Sequence, residues 1–383
     1  MGKRFDTKSV HLSKINDKTI NSKSTPIYQT SAFKFRDLED MENFYQGKND
    51  YLYTRVGNPN TDELGEAVAQ LEGAPKGVAA SSGTSAILAG ILAVAKQGDH
   101  IVAATDIYGG TYQLLAGELA DLGIEVSFVD FVGSEQVADH IKSNTKLIYS
   151  ESVANPLLRT EDIASLAEIA KQHQLVLMID NTFATPYLCR PYESGADLVV
   201  HSATKYIGGH SDVTAGVLAG RADLIDIANQ KIGNLGCNLS PFEAWLTCRG
   251  LKTLSVRMER HVKNAQQLAD ALKENKAIQK VYYPEHVSPQ GNGAIVSIDI
   301  SGLCSIEKFF QSLDWIKIVP TLAGVETSVS YPAGTSHRAV PEQARKKLGI
   351  TEGLIRISVG IEDAADIIAG VEHALEESRH KQG

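Results

Sequence analysis

Residues 197–211, Asp-Leu-Val-Val-His-Ser-Ala-Thr-Lys-Tyr-Ile-Gly-Gly-His-Ser, place a lysine shortly after an apolar run and just before two glycines. The run Leu198–His201 has the composition of a buried strand, and Lys205 follows it at a turn. A lysine that forms a Schiff base must lose its proton near neutral pH, and partial desolvation favours that loss. The hydroxyl groups of Ser202 and Thr204 can donate hydrogen bonds to a phosphate. Most lysines are ordinary surface residues, so a Schiff-base role for Lys205 depends on the residues around it.

Three further segments supply the partners that such a lysine would need. The apolar run Val176–Asp180 ends in an acid, at the end of a strand where α/β sheets bind ligands. Ser82-Gly83-Thr84 opens a helical pattern, whose first N–H groups and dipole suit an anion such as phosphate. Tyr108 follows a strand pattern in a glycine-containing loop, where its ring can stack on a planar group. Each segment alone has an ordinary structural explanation, but together they favour a cofactor site around Lys205.

Composition and charge narrow the class of protein. Of the 383 residues, 43% are hydrophobic and 22% are charged, as in a globular protein with a substantial core. A net charge of −9 without any Lys/Arg run argues against a nucleic-acid partner. The polar start MGKRFDTKSVHLSK lacks the apolar run of a signal peptide, and no apolar stretch approaches ~18 residues, so we expect neither a signal peptide nor a membrane span. The four cysteines are widely spaced, which predicts no disulfide framework or metal site and fits a cytoplasmic protein.

From about residue 60 the chain alternates helical patterns with short apolar runs. The strand-like runs are His100–Ala104, Glu125–Val129, Leu147–Glu151, Val176–Asp180, Leu198–His201 and Ala215–Ala219. Helical patterns separate most of them, which predicts a mostly parallel, doubly wound sheet covered on both faces. A further helical pattern begins at Ser240 and Pro241, a plausible N-cap and first helical position, and runs to about Lys273. The strands and helices after it predict a smaller α+β domain.

The stretch 197–211 resembles the PLP (pyridoxal 5′-phosphate) attachment motif of the Cys/Met metabolism enzymes. This family includes cystathionine γ-synthase, cystathionine β- and γ-lyases, methionine γ-lyase and O-acylhomoserine sulfhydrylases. The resemblance covers nearly the whole chain, through residues 25–30, 53–60, 155–156, 180–183 and 354–363. It implies a fold-type I PLP-dependent transferase of the α/β class. The expected organisation is an N-terminal arm at 1–52, a PLP-binding domain at 53–240 and a C-terminal domain at 241–383.

The resemblance also implies roles around the cofactor. Lys205 would hold PLP as a Schiff base and then carry protons, Tyr108 would stack on the ring and assist catalysis, and Asp180 would hold the pyridine nitrogen. The other expected cofactor-binding residues of the same subunit are Ser82, Gly83, Thr84, Thr182, Ser202 and Thr204. Tyr53 and Arg55 are expected to reach the phosphate from a neighbouring subunit. The implied assembly is a homotetramer, a dimer of active dimers.

The resemblance assigns the substrate, a small amino acid, to a second group of residues. Arg356 would grip the α-carboxylate in a bidentate pair, the geometry that a guanidinium favours. Asn155 and Thr321 are expected to assist, and Thr321 replaces the serine that is usual in the family. Thr84 likewise replaces the usual methionine, although its backbone N–H would serve equally well.

These shared motifs do not separate elimination, which releases ammonia and a keto acid, from γ-replacement by a thiol. Gly110 stands where methionine γ-lyases usually carry cysteine, and Pro320 where cystathionine enzymes often carry glutamate. The segment 283–293 is shorter than is usual in the family. The leading hypothesis is a carbon–sulfur lyase that works by γ-elimination on cystathionine or a homocysteine- or methionine-type substrate. The alternatives are a γ-replacement transferase, as in cystathionine γ-synthase or O-acylhomoserine sulfhydrylase, and a non-catalytic PLP-binding regulatory protein.

Overall fold

The computed structural model describes residues 3–11, 22–48, 50–131, 134–338, 340 and 342–380. The strands of its larger sheet are β1 (Lys76–Ala80), β2 (His100–Ala104), β3 (Glu125–Val129), β4 (Thr145–Glu151), β5 (Val176–Asp180), β6 (Leu198–Ser202) and β7 (Gly216–Gly220). They lie in the order β1-β7-β6-β5-β4-β2-β3. β7 runs antiparallel to β1 and β6, and the other neighbours are parallel. The predicted mostly parallel, doubly wound sheet is therefore confirmed.

Helices cover both faces of this sheet. The helices before residue 240 are α1 (Phe5–Val10), α2 (Leu38–Tyr45), α3 (Pro59–Glu72), α4 (Gly83–Val94), α5 (Gly109–Gln113), α6 (Leu119–Asp121), α7 (Ser134–Asp139), α8 (Ile163–Gln172), α9 (Thr185–Leu188) and α10 (Ala222–Leu235). A π-helical turn, Leu114–Glu118, joins α5 to α6. Successive residues of β7 enter opposite cores: Val217 packs in the core that contains Leu64 of α3, and Leu218 in the core that contains Ile87 of α4. Strands covered on both sides need apolar residues in succession, as the fully buried Leu177–Ile179 shows.

A second, smaller sheet follows in the chain. Its strands are β8 (Lys280–Tyr282), β9 (Ile295–Asp299), β10 (Lys317–Ile318), β11 (Ser328–Ser330) and β12 (Leu354–Ser358), in the order β10-β11-β12-β9-β8. The helices of this part are α11 (Pro241–Leu251), α12 (Leu254–Lys273), α13 (Ile306–Gln311), α14 (Glu342–Leu348) and α15 (Ala364–Ser378). Leu268, Phe309 and Leu375 of three of these helices share one core with the strands. This confirms the predicted α+β character, whereas the boundaries at 52/53 and 240/241 stay predictions.

The single helix predicted from Pro241 to Lys273 is wrong, because the structure has two. The first ends at Leu251 and the second begins at Leu254. Just before the break, Gly250 lies so close to the larger domain that a Cβ would stand 2.1 Å from the carbonyl oxygen of Gly208. Ser240 occupies the N-cap position but makes no side-chain capping bond. The apolar periodicity continues across the break, so the sequence pattern does not reveal it.

Alternation along β12 turns one arginine away from the core of the smaller domain. Ile355 and Ile357 belong to that core, so the intervening Arg356 points to the opposite face. On the neighbouring strand, Ser297 is the residue opposite Arg356, and its hydroxyl donates to the carbonyl oxygen of Pro156 at 2.8 Å. This face of the smaller sheet therefore lies against the loop that follows β4. None of the helices in the described residues is both long and apolar enough to span a bilayer.

Candidate active site

A cavity of about 220 Å³ lies where β4, β5 and β6 end, and β12 contributes to its wall. All the predicted site residues line it except Tyr53 and Arg55. The predicted residues in its wall are Ser82, Gly83, Thr84, Tyr108, Asn155, Asp180, Thr182, Ser202, Thr204, Lys205, Thr321 and Arg356. The structure thus brings together residues separated by up to 274 positions, from Ser82 to Arg356. Their individual roles remain proposals.

Lys205 lies in this cavity, where its amine loses its proton more readily than that of an ordinary lysine. Its Nζ donates a hydrogen bond to Oγ1 of Thr321 at 2.6 Å. Burial, helped by the positive charge of Arg356, lowers the pKa of Lys205 to about 8. The unprotonated amine, which is the form that attacks an aldehyde, is therefore far more populated near physiological pH than in an ordinary lysine. This agrees with the sequence argument from desolvation.

Arg257 holds the turn that carries Lys205. Its guanidinium donates to the carbonyl oxygen of Tyr206 at 2.7 Å and to that of Gly250 at 2.8 Å. Gly209 has a φ of +77°, and a Cβ there would lie 2.1 Å from Nη1 of Arg257. A side chain at position 209 is excluded both by the backbone conformation and by this arginine. The sequence analysis missed Arg257, because it lies in the middle of α12 and outside any local motif.

Two carboxyl groups stand side by side in the cavity, at the ends of β4 and β5. Glu151 and Asp180 are in register as the last residues of these parallel strands. The backbone N–H of Thr182 donates to Oδ1 of Asp180 at 2.9 Å. Burial raises the pKa of Asp180, and the hydrogen bonds from Thr182 oppose that rise. The sequence analysis missed Glu151, although it carries the signal that identified Asp180, an acid that ends an apolar strand.

The start of α4 forms a cradle suited to a phosphate. Ser82 is the N-cap, and its hydroxyl accepts from the N–H of Ser85 at 3.1 Å. Gly83 packs against β6 so closely that a Cβ would lie 2.7 Å from Cβ of Ser202. The first N–H groups of a helix have no partners within the helix, so those of Gly83 and Thr84 can bind an anion in the cavity. Helix α4 has 12 residues, enough for a helix dipole to add to this preference.

The hydroxyls of Thr182 and Thr204 already have protein partners. Oγ1 of Thr182 accepts from the N–H of Ser202 at 2.8 Å. Oγ1 of Thr204 accepts from the N–H of Ala215 at 3.0 Å and lies 3.2 Å from its carbonyl oxygen, to which it donates. These bonds tie the ends of β5, β6 and β7 together around the cradle. Contact of either hydroxyl with a phosphate therefore stays a prediction.

Arg356 is a buried cation whose protein partners are neutral. Only 2% of it is exposed, and burial lowers its pKa to about 10. Its Nη1 donates to Oδ1 of Asn155 at 2.9 Å and its Nη2 to the carbonyl oxygen of Thr321 at 3.5 Å. Its Nε has no hydrogen-bond partner within the described part of the chain. A buried charge is costly without a counter-charge, so this guanidinium suits an anionic ligand such as a carboxylate.

Tyr108 presents its ring to the cavity from the loop before α5. The side chain is 43% exposed, and its backbone N–H donates to Oε1 of Glu151 at 2.6 Å. The ring lies against Gly110, where a Cβ would stand 2.5 Å from Cε1 of the tyrosine. The absence of a side chain at position 110 therefore makes room for this orientation of the ring.

Tyr53 and Arg55 lie outside the cavity. Arg55 donates to the carbonyl oxygen of Gly233 at 2.8 Å, and its guanidinium carbon is 5.5 Å from the centre of the Tyr53 ring. Tyr53 is 41% exposed. An exposed pair of this kind is available to another subunit, so the predicted contribution to a neighbouring site stays a prediction.

The remaining wall of the cavity is largely apolar, and of its residues the sequence analysis had singled out Pro320 alone. It contains Ile87, Val153, Phe183, Pro320, Leu322 and Ser336. Apolar residues in a wall resemble core residues in their pattern, and only their position in the fold distinguishes them. Together the wall fits a ligand with a phosphate, a planar ring with a basic nitrogen, and an aldehyde that reacts with an amine. Those are the features of PLP. Arg356 is not needed for the cofactor and is available to bind a substrate carboxylate.

Comparisons with known proteins agree with this chemistry. Residues 6–376 match the family model for the Cys/Met metabolism PLP-dependent enzymes. The chain is 41% identical over 387 residues to an L-methionine γ-lyase of Porphyromonas gingivalis, with 97% of each chain covered. It is 39% identical over 381 residues to a cystathionine β-lyase of Lactococcus lactis, with 97% of this chain and 98% of that one covered.

A solved structure described as an O-acetylhomoserine (thiol)-lyase of Campylobacter jejuni is similar over 98% of this chain and 100% of that one. Its TM-score is 0.90 at 29% identity. That structure contains N′-pyridoxyl-lysine-5′-monophosphate, a PLP-derived group attached to a lysine. The similarity of fold and the cavity chemistry of the present chain therefore point to the same cofactor.

Proposed function

Because the chain belongs to the Cys/Met metabolism family of PLP-dependent enzymes, we propose that it is a carbon–sulfur lyase that works by γ-elimination. The proposed substrates are cystathionine and homocysteine- or methionine-type amino acids. One observation carries the proposal: the amine of Lys205 and the buried guanidinium of Arg356 both contact Thr321 in one cavity. An α-amino acid needs both an amine-reactive cofactor and a carboxylate partner in that arrangement.

In the proposed reaction the chain positions the amino acid and moves its protons. Arg356 binds the α-carboxylate, and Asn155 orients the guanidinium through its amide oxygen. Lys205, released from its covalent role when substrate arrives, takes the proton from Cα and returns protons to the product carbons. The hydroxyl of Thr321 accepts a hydrogen bond from the lysine amine at 2.6 Å and so holds the amine in the cavity when it is not joined to the cofactor. Asp180 keeps the ring nitrogen of the cofactor protonated, and PLP when bound supplies an electron sink for the electrons freed at Cα.

The depressed pKa of Lys205 leads to a prediction about cofactor capture. The rate at which apo-protein takes up PLP is expected to rise with pH and to be half-maximal at pH about 8, because only the unprotonated amine attacks the aldehyde. In Arg356→Gln the midpoint should move to higher pH, since the positive charge that helps to lower the lysine pKa is gone. Stopped-flow absorbance of apo-protein mixed with PLP measures both. A rate that still rises steeply toward pH ~10 would mean an ordinary lysine.

The proposal extends to the assembly and the compartment. We propose a cytoplasmic homotetramer of two active dimers, in which Tyr53 and Arg55 bind the phosphate in the partner subunit. If so, Lys205→Ala and Arg55→Ala are each inactive alone, but co-expression restores roughly a quarter of wild-type activity, because a mixed dimer keeps one intact site. Activity assays on the co-expressed and separately expressed proteins test this. No recovery on co-expression, with mixed dimers shown by mass, would show that each site takes Lys205 and Arg55 from the same subunit, or does not use Arg55 at all.

The substrate assignment is tested by a panel with two readouts. The purified holoenzyme is incubated with cystathionine, homocysteine and methionine, and 2-oxobutyrate is measured; γ-elimination predicts its release from at least one of them. A second candidate function, γ-replacement by a thiol, is favoured by the similarity to the O-acetylhomoserine (thiol)-lyase. For it, O-acetylhomoserine is supplied with and without a thiol. Product that depends on the thiol, with no keto acid from the three substrates, would replace the lyase proposal by the transferase.

A further inference from the structure

Glu151 is a second carboxyl group in the cavity that the proposed reaction does not use. It is 7% exposed, it ends β4, and it stands in register with Asp180 at the end of β5. In the proposed reaction Asp180 serves the ring nitrogen, Arg356 serves the substrate carboxylate and Lys205 moves the protons. An acid buried in such a place is costly, so its presence calls for a function.

The contacts of Glu151 connect it to the backbone of the cavity wall. Its Oε1 accepts a hydrogen bond from the N–H of Tyr108 at 2.6 Å, and the backbone N–H of Asn155 also donates to this carboxyl group. Tyr108 begins the α5 turn, and Asn155 is the partner of the Arg356 guanidinium. Glu151 is therefore the common neighbour of the loop that carries the ring-stacking residue and the loop that supports the carboxylate-binding residue.

The surroundings of Glu151 favour an uncharged carboxyl group. Burial raises the pKa of Glu151 well above its ordinary value, the negative charge of Asp180 adds to the rise, and Asp106 acts in the same direction. The hydrogen bonds from the N–H groups of Tyr108 and Asn155 oppose it. Two adjacent carboxylates in a site of low dielectric do not both ionise readily. Asp180 accepts hydrogen bonds from both the side chain and the backbone of Thr182, which favour its ionised form, and its charge in turn raises the pKa of Glu151.

We propose that Glu151 is a positioning residue: as a neutral acid it anchors the Tyr108 and Asn155 loops, and it leaves Asp180 as the single anion for the cofactor ring. It takes no proton from the substrate. The inference rests on the PLP site but not on the choice of substrate. Glutamine has the same length and a carbonyl oxygen that accepts the same backbone bond, so it is the conservative replacement.

The test compares Glu151→Gln with Glu151→Ala, using Glu161→Gln as a matched control. Glu161 is another acid whose pKa burial raises, to about 7, and its carboxyl group binds Ser150 outside the cavity. PLP affinity is measured by absorbance titration of each apo-protein, which needs no substrate, and kcat and KM are then measured on the holoenzymes. Failure of the lyase proposal therefore leaves the titration interpretable.

The alanine variant is expected to bind PLP about tenfold more weakly, because it loses an anchoring hydrogen bond in a buried site. The glutamine variant should recover most of that affinity and keep kcat within about threefold of the Glu161→Gln control, since a neutral acceptor is restored. A loss of kcat of about 100-fold or more in Glu151→Gln would show that Glu151 acts as an ionised base. An alanine variant equal to the control in PLP affinity, kcat and KM would also overturn the proposal.

Discussion

Lys205→Ala is expected to lower kcat by about 10⁴-fold or more, because the same amine attaches the cofactor and moves the proton at Cα. The side chain lies in the cavity wall and is bonded to Thr321, and the described residues of that wall contain no second lysine that could replace it. Steady-state assays of keto-acid release, with PLP in excess, measure the loss. The visible absorbance of bound cofactor should change in parallel, since a non-covalently held aldehyde absorbs differently from one joined to lysine.

A surface lysine provides the control for this prediction. Lys76 is exposed and pairs with Asp226 far from the cavity wall, so Lys76→Ala should keep its activity. Circular dichroism and chain mass in solution verify that the Lys205 variant is folded and assembled. If folded Lys205→Ala retained more than a few per cent of turnover, another residue would have to supply the amine.

Arg356→Ala is expected to lower kcat/KM by about 10²- to 10³-fold, mainly through KM, because the substrate carboxylate would lose the buried guanidinium that binds it. Arg356→Lys should recover little of this, since an ammonium lacks the paired donors and cannot reach both Asn155 and the carboxylate. Kinetics with an α-amino acid and with its decarboxylated analogue check the assignment. The wild type should discriminate strongly between the two, and Arg356→Ala should discriminate far less.

Arg221 supplies the matched control for Arg356. It is a half-exposed arginine paired with Asp197 and Asp223, and Asp197 directly precedes β6, whose opposite end reaches the cavity at Ser202. Arg221→Lys should leave KM unchanged. Equal KM values for wild type and Arg356→Ala, with PLP still bound, would contradict the role in carboxylate binding.

Several strands of the larger sheet could be predicted from their composition alone. The predicted runs His100–Ala104, Glu125–Val129 and Val176–Asp180 coincide with β2, β3 and β5. The prediction missed β1, since Lys76–Ala80 begins with lysine and glycine and lacks bulky apolar residues. The antiparallel direction of β7 could not be predicted from its own residues either, because the direction of a strand depends on the path of the connection that precedes it.

The site residues that stand at or just after the carboxyl end of a strand could be predicted from the sequence. The ends of parallel strands meet at one edge of a sheet, so Asp180 and Lys205 could be placed together before the structure was considered. Glu151 fits the same rule and was overlooked. Arg257 could not be found in this way, because its contacts with the Lys205 turn depend on the break between α11 and α12. Arg356 was assigned through family resemblance, since no local pattern relates it to a lysine 151 residues earlier.

The central claim is that Lys205 is the residue that holds PLP. Borohydride reduction of the holoenzyme, followed by proteolysis and mass spectrometry, locates the lysine to which the cofactor is joined. The account predicts one modified peptide, with the phosphopyridoxyl mass on Lys205 and none on the exposed Lys76. A modification at a different lysine, or a holoenzyme that loses all its cofactor after reduction, would contradict the account.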